Sequence, residues 1–564
     1  MMSKQMNGLL ISDFNIENLA AYLKNDSGIP QVNCEVAPYG QVAQSLLDDS
    51  LPFWQTSLDF LVVWSRPEAV LESFAQALSG LAVEANKVRD EVDEYCRKLL
   101  LSKNRASVVF APTWVVPTFH LGHGMLDLAA EVGVSRILMQ ANLRLLENLD
   151  GHSNVVPLNT GKWVELAGEK AFNPRLWYLG KVPFGNNLFK AAVRDFKAAL
   201  RGIQGRARKL VILDLDETLW GGIVGDVGWQ EIVLGGHDPE GEALVDFQRE
   251  LQALTRRGIV LAIASKNEES IALEAIDKHP EMVLRKEDFA GWKINWKDKA
   301  QNIVELVAEL NLGMDSAVFI DDNPAERARV REALPDVFVP EWPVDKRLYP
   351  HTLCSLDCFD KPAISVEDRQ RQQMYATERR RTELKGKVGS LEEWLRTLDI
   401  VVKVEPLEIS NLSRSAQLLN KTNQMNLSTR RMTEQDYMAW AGVETHRVWS
   451  FYVSDRFGDS GLTGILGIEV ADGRAKIVDF VLSCRVMGRK VEEAMLHVAV
   501  DWARSSRIKE VLADYTATAK NKPCLDFFLK SGLKKHGDNR FAWDSTQEYP
   551  LHPAVRLVQK TINT

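Results

Sequence analysis

Three short apolar runs, each closed by polar residues, constrain this chain more than any other feature: "KLVILDLDETLWGG" (209–222), "GIVLAIASKN" (258–267) and "SAVFIDDNP" (316–324). Unbroken apolar runs of strand length suit strands buried on both faces, the kind found in parallel sheets covered by helices. In such sheets the carboxyl ends of neighbouring strands form the ligand crevice. The residues that follow the three runs are therefore expected to converge: Asp214 and Asp216, Ser265 and Lys266, and Asp321 and Asp322. A fourth group, Lys297 or Lys299 in "INWKDKAQNI" (294–303), precedes the helix that leads to the third run.

Carboxylates crowded in this way repel one another unless a cation neutralises them, and oxygen-only ligands select a hard ion such as Mg²⁺. The pattern predicts a Mg²⁺ site. Phosphoryl transfer uses the same set: a carboxylate nucleophile, a second carboxyl group that exchanges a proton with the leaving oxygen, and cations plus a hydroxyl around the phosphoryl oxygens. An Asp-x-Asp string alone is common, and Asp often ends strands as a turn residue. Four ordered elements behind successive strands carry the reading where the string alone does not.

"DLDETLWGG", "ASKN", "NWKDK" and "FIDDNP" resemble the four motifs of the haloacid dehalogenase superfamily, and their longer wording resembles its FkbH-like branch. The resemblance implies that Asp214 is the nucleophile, Asp216 the general acid and base, Ser265 a donor to the phosphate, and Lys299 the holder of its charge. It also implies a Mg²⁺ site made by Asp214, the Asp216 carbonyl, Asp321 and Asp322, with Asp322 as the direct ligand. Thr218, Lys266 and Asn267 are expected beside the substrate. About 50 residues separate Asp214 from Ser265, and 34 separate Ser265 from Lys299. That leaves room for connecting helices and a flap at "LWGGIVGDVG" (219–228), but not for a lid domain. Either another domain covers the site or the substrate is large, such as a group tethered to a protein.

A chain of 564 residues exceeds one compact core. The expected architecture is multidomain α/β: an α/β domain over 1–203, a Rossmann-like phosphatase domain without a large cap over 204–365, a connecting helix over 366–397, and an α+β domain over 398–564. The connecting segment is polar on most faces, so it reads as solvated and without chemistry of its own. A formal charge of −8 and a pI of about 5.8 give no basic footprint for nucleic acid. The first residues lack a signal-peptide pattern and no apolar stretch reaches membrane-spanning length, so a cytoplasmic location without membrane contact is expected. Six cysteines without paired CxxC spacing argue against a disulfide framework or zinc cluster.

The first domain alternates short apolar runs with helical-period stretches, the rhythm of a mainly parallel sheet. It resembles an SGNH-hydrolase-like region, with Ser12-Asp13 after the first strand and "PYGQ" at 38–41. Neither a Gly-Asp-Ser elbow nor a late Asp-x-x-His is present, so no esterase activity is expected. His120 and His123 have a spacing that can bind metal on a helix, but the surrounding Pro and Gly suggest a loop and no third ligand is evident. This domain is expected to dock a carrier or to pair with a second copy of the chain.

In the last domain, "VLSCRVMGRKVEEAMLHVAVDWA" (481–503) places a strand, a short basic loop and a helix in succession. Backbone N–H groups at that helix start could hold a pyrophosphate or phosphopantetheine phosphate. The loop resembles the Q/R-x-x-G-x-G/A loop of GNAT acyltransferases, which makes Arg485, Gly488 and Arg489 the cofactor-binding candidates; Lys490 replaces the final Gly or Ala. Cys484, next to Arg485, stands where a thiolate would be favoured and is the candidate acyl relay, against the plainer reading of a small apolar residue at a strand end. Cys524 is a lesser candidate. "NKTNQMNLSTRR" (420–431) and "SDRFGDSGLTG" (454–464) are also similar to FkbH-like wording and offer Asn423, Arg430 and Arg456 as pocket residues.

The resemblance as a whole implies a glyceryl transferase/phosphatase of polyketide-type biosynthesis. Such a protein takes 1,3-bisphosphoglycerate, loads the glyceryl unit onto the phosphopantetheine thiol of an acyl carrier protein, and removes the 3-phosphate. The alternative is a Mg²⁺-dependent phosphatase acting on another phosphorylated substrate, with the last domain as a binding module.

Overall fold

The computed structural model describes residues 5–116, 124–364, 390–422, 424–518, 520–537 and 539–559, with scattered positions between 368 and 384. The chain is a mixed α/β multidomain protein that divides into two compact units. One comprises Met1–Lys209, Asp315–Val318 and Glu341–Ser365, the other Leu210–Met314, Phe319–Pro340 and Val366–Thr564.

The first unit is built on five parallel strands, β1 (Met6–Ser12), β2 (Val32–Val36), β3 (Leu58–Trp64), β4 (Ala106–Pro112) and β5 (Val155–Leu158), in the order β2-β1-β3-β4-β5. Their apolar runs feed cores on both faces. Leu9, Ile11, Leu61 and Val109 pack with residues of the helices Ala85–Leu101 and Val134–Leu149, whereas Leu10, Val62 and Phe110 pack with those of Asn186–Ile203. Gly8 permits this packing, because a Cβ there would lie 2.1 Å from the Phe60 ring. At the end of β1, the Ser12 hydroxyl accepts the Phe14 N–H, and Asp13 is paired with Arg66 at 2.8 Å. His120 and His123 lie outside the described residues.

Two further sheets are formed by residues after Lys209. The first holds β6 (Leu210–Leu213), β7 (Val260–Ser265), β8 (Phe289–Ile294) and β9 (Ala317–Ile320) in the order β8-β7-β6-β9. All residues of β6, β7 and β9 are buried. The helices that follow start abruptly on side-chain caps: Asp298 accepts from Ala300 and Gln301 at the start of Lys299–Glu309, and Asn323 accepts from Ala325 at the start of Pro324–Ala333. These caps hold Lys299 and the Asp321–Asp322 pair next to the strand ends.

The other sheet comprises β10 (Ile400–Pro406), β11 (Met425–Asn426), β12 (His446–Asp455), β13 (Gly458–Ala471), β14 (Arg474–Leu482), β15 (Glu510–Asp514), β16 (Lys534–His536), β17 (Arg540–Asp544) and β18 (Val555–Gln559). Its order is β16-β17-β15-β14-β13-β12-β10-β18, with β11 on β14. The string "ADGR" (471–474), whose Asp-Gly pair is a hairpin signal, forms one: Ala471 pairs with Arg474, and Asp472 and Gly473 both take positive φ, as a two-residue turn matched to strand twist requires.

Within the run 420–431, Met425 and Asn426 pair with Leu482 and Val481 of β14. Leu427 N–H then donates to Phe480, and the Leu427 carbonyl accepts from Thr516. This segment fills the gap left where β14 runs beyond its pairing with β15, which covers only Ala475–Ile477. The connecting segment, expected to be solvated, is tied down at its described positions. Arg371 donates to the Gly258 carbonyl, and Arg379 donates to the carbonyls of Lys286 and Phe289 while lying over the Trp292 ring. Arginine does this because its planar, weakly hydrated fork satisfies several acceptors at once. Among the described residues, no helix is long and apolar enough to cross a membrane.

Candidate active site

At the end of β6, Asp214 is buried, and its N–H donates to the Ile320 carbonyl at the end of β9. The Lys299 ammonium lies 2.9 Å from Asp214 Oδ2 and 2.6 Å from Asp321 Oδ2. Asp214 Oδ1 is buried without a hydrogen-bond partner. Asp321 is fully buried, and its other oxygen accepts the Asn323 N–H at 2.8 Å. Asp214, Asp321 and Asp322 each offer an oxygen within 4.8 Å of the others. An all-carboxylate set that includes one unpartnered buried oxygen fits a hard divalent cation.

Burial, opposed by Lys299, pushes the Asp321 carboxyl above its ordinary range, and the charge of Asp214 adds to the rise. Asp322 is raised for the same two reasons. Burial alone would lower Lys299, but Asp214 and Asp321 outweigh it and hold the ammonium above its usual value. The cluster therefore keeps one fixed positive charge among three carboxyl groups.

Asp216 is held apart from this group. Its Oδ1 accepts from Trp220 Nε1 at 2.8 Å and Val224 N–H at 3.1 Å, and its Oδ2 accepts from Asn267 Nδ2 at 2.8 Å. Burial raises its affinity for a proton, against the lowering effect of the Val224 and Trp220 donors. The two aspartates of one strand tip thus sit in different environments, one beside an ammonium and one in a cradle of neutral donors.

The structure gathers Asp214, Asp216, Ser265, Lys299, Asp321 and Asp322 around the strand ends. Ser265 ends β7 and is buried, with its carbonyl accepting from Asn295. Three expected substrate contacts have other employment. The Thr218 hydroxyl both donates to Asp322 Oδ1 and accepts the Asp322 N–H, so it orients that carboxylate. Asn267 holds Asp216, and the Lys266 ammonium is paired with Glu326 at 2.6 Å. The sequence reading missed Arg327, whose buried guanidinium donates to the carbonyls of both Asp321 and Asp322, and Trp220 as a holder of Asp216. The signal available for Arg327 was its place one turn into the helix after "FIDDNP".

The last domain behaves differently. Cys484 has surface open to solvent, yet the protein packed about its sulfur raises the thiol above its ordinary value, and Arg485 only partly opposes this. Arg485 points at Ser483 and at the Met374 sulfur. Gly488 N–H donates to Glu492 Oε1 at 2.7 Å. Arg489 is buried and paired with Asp455 and Glu378, and Asp455 also receives Arg381 at 2.7 Å. Two of the three groups expected to hold a cofactor phosphate, Gly488 and Arg489, are thus engaged internally. Arg430 grips the fully buried Asp479 through two bonds of 3.0 and 2.6 Å and lies over Trp440, while Arg456 lies over Phe457. Cys524 is buried, which pushes its thiol up to about 12. Asn423 lies outside the described residues.

No protein-family model and no curated protein matches this chain. Among solved structures, it is similar to the N-terminal part of the protein BF1531 from Bacteroides fragilis, which contains a phosphatase domain and was crystallised with Mg. The match covers 64% of this chain and 95% of that one, at 28% identity and a TM-score of 0.58. The ribosomal-protein-S18-alanine N-acetyltransferase from Escherichia coli aligns over 25% of this chain and 90% of its own, at 9% identity and a TM-score of 0.20. A spermidine N-acetyltransferase from Vibrio cholerae aligns over 26% and 97%, at 14% identity and a TM-score of 0.22. At such scores the acetyltransferases say nothing about the last domain's chemistry.

Proposed function

We propose that this chain is a Mg²⁺-dependent phosphomonoester hydrolase that works through an aspartyl phosphate on Asp214. The observation that carries the reading is the state of Asp214: buried, fixed by Lys299 on one oxygen, unpartnered on the other, and within cation-sharing distance of Asp321 and Asp322. The similarity to a phosphatase-containing structure crystallised with Mg supports it.

In this reading the Asp214 carboxylate attacks phosphorus and the ester P–O bond breaks. Asp216, whose burial favours the protonated form, gives its proton to the departing oxygen. Water then attacks the phosphorus of the aspartyl phosphate and returns its proton to Asp216, which frees Asp214 and inorganic phosphate. Ser265, at the end of β7, donates to a phosphoryl oxygen, and Lys299 balances the charge of the nucleophile. When bound, Mg²⁺ would be held by Asp214, Asp321 and Asp322, where it would neutralise phosphoryl charge.

The resemblance to FkbH-like proteins narrows the substrate to a phosphoglyceryl group carried on the pantetheine of an acyl carrier protein and derived from 1,3-bisphosphoglycerate. The absence of room for a lid domain between the motifs favours such a tethered substrate. In this narrower reading the carrier thiol attacks the carbonyl carbon of the acyl phosphate and phosphate leaves, with Cys484 as the candidate relay if the transfer runs in two steps. Intact-mass spectrometry of a phosphopantetheinylated carrier, incubated with the chain, Mg²⁺ and 1,3-bisphosphoglycerate, tests it. A gain equal to glyceryl without phosphate is expected. Phosphate release from simple esters with no gain on the carrier would leave the general phosphatase reading and sink the narrower one.

A further inference from the structure

We infer that Asn267 is a positioning residue for the reaction: its amide fixes the oxygen of Asp216 that delivers the proton to the leaving group. The inference rests on the phosphatase reading and deepens it. A site built around a fixed proton donor serves esters of weakly acidic alcohols, the glyceryl class among them, whose oxygen leaves poorly without a proton.

Asp216 receives three donors, unevenly shared. Oδ1 takes two, from Trp220 Nε1 and the Val224 N–H, which between them use the lone pairs of that oxygen. Oδ2 takes one, from Asn267 Nδ2 at 2.8 Å, and so keeps a lone pair for the proton. The oxygen that carries the proton is therefore the one that Asn267 holds.

The donors also differ in origin. Trp220 and Val224 belong to the flap, which continues from Asp216 itself. Asn267 comes from another element: it lies two residues past Ser265, the last residue of β7, which pairs with β6 through Leu213 and Ile263. Of the three donors, Asn267 alone ties the carboxyl group to the strand end that carries the phosphate donor. Its amide has one workable orientation. Asn267 Oδ1 accepts the Glu268 N–H at 2.9 Å, and a flipped amide would set an oxygen against the Asp216 carboxyl and an NH2 group against that N–H. Asn267 is buried, so neither group can turn to water instead.

In the step this serves, Asp214 forms its bond to phosphorus and the bond from phosphorus to the alcohol oxygen breaks. The proton on Asp216 Oδ2 moves to that oxygen, and Asp216 is left as a carboxylate to which the Asn267 N–H donates more strongly. A carboxyl group free to swing out of hydrogen-bond reach of the leaving oxygen loses this function.

The test compares kcat/KM for ethyl phosphate, whose leaving oxygen needs a proton, with that for 4-nitrophenyl phosphate, whose leaving phenolate does not, using the full chain with Mg²⁺. Asn267→Ala is expected to lower kcat/KM for ethyl phosphate about thirtyfold, mainly through kcat, and to leave 4-nitrophenyl phosphate within about threefold. Asn267→Ser, which keeps a side-chain oxygen beside Glu268 and so disturbs the fold less, should show the same split, and Asp216→Ala a steeper one. An equal loss on both esters, or no loss on either, overturns the role of Asn267. If Asp216→Ala shows no split, or the unaltered chain hydrolyses neither ester, the phosphatase reading itself fails, an outcome distinct from failure of the Asn267 assignment.

Discussion

Two sites at strand ends of the second unit collect charged residues, and they use them in opposite ways. At the tips of β6 and β9, three carboxyl groups lie together, two of them bonded to one ammonium, and a buried oxygen of Asp214 is left without a partner. At the end of β14, the loop Cys484–Lys490 spends its donors internally: Gly488 on Glu492, and Arg489 on Asp455 and Glu378. A network closed on itself supports a fold, whereas one left electrically and sterically open supports chemistry. Glu492 Oε2 is the exception in the closed network, buried without a partner. Burial pushes that carboxyl up to about 7, so near neutrality it is in part protonated, which lessens the penalty.

The contrast predicts which substitutions stop the reaction and which loosen the protein. The largest effect belongs to Asp214→Asn, which should cut phosphate release by about a thousandfold or more while the melting temperature changes little. Equal losses of activity and stability would place Asp214 with the structural networks. The next is Arg489→Met, which leaves Asp455 and Glu378 with Arg381 alone and should cost about 1.5–3 kcal/mol in denaturant unfolding, with phosphate release below the unfolding transition within about twofold of the unaltered chain. An activity loss without destabilisation would put Arg489 in the reaction.

A smaller effect is expected from pH. Asp321 and Asp322 have raised proton affinity in the fold, so without a cation their ionisation is disfavoured, and their contribution to stability declines as pH rises through the folded-state values. A cation competes with those protons. The Mg²⁺-induced rise in melting temperature should therefore grow from pH 5 to pH 8. A rise that is flat or falls with pH would mean that these carboxyls do not take part in binding. The smallest effect belongs to Cys484→Ala, which should leave phosphate release unchanged within about twofold. Iodoacetamide should also label Cys484 more slowly at neutral pH than a free cysteine. Rapid labelling would restore the thiolate reading.

The strand-tip cluster was legible in the sequence because every member follows an apolar run or a helix cap, so local pattern and chain order place it. The hairpin at Asp472-Gly473 was legible for a related reason, since its turn chemistry lies in adjacent residues. What escaped depends on partners far along the chain. Nothing local marks Met425-Asn426 as a strand: its partners are Leu482 and Val481, and the Asn426 side chain closes its own loop onto Thr422 and Thr429. Arg379 and Arg381 look like a solvated charge run until the carbonyls of Lys286 and Phe289 and the carboxylate of Asp455 are in place. Arg430 reads as a ligand contact until Asp479 is found buried beneath it.

The central claim is covalent, and so is its most direct test. The chain is mixed with Mg²⁺ and a hydrolysable phosphate ester, quenched in acid within a single turnover, and treated with borohydride, which reduces an aspartyl phosphate to homoserine. Peptide mass mapping should find homoserine at position 214 and nowhere else, and the Asp214→Asn chain should yield none. Phosphate release with residue 214 unmodified would contradict the account.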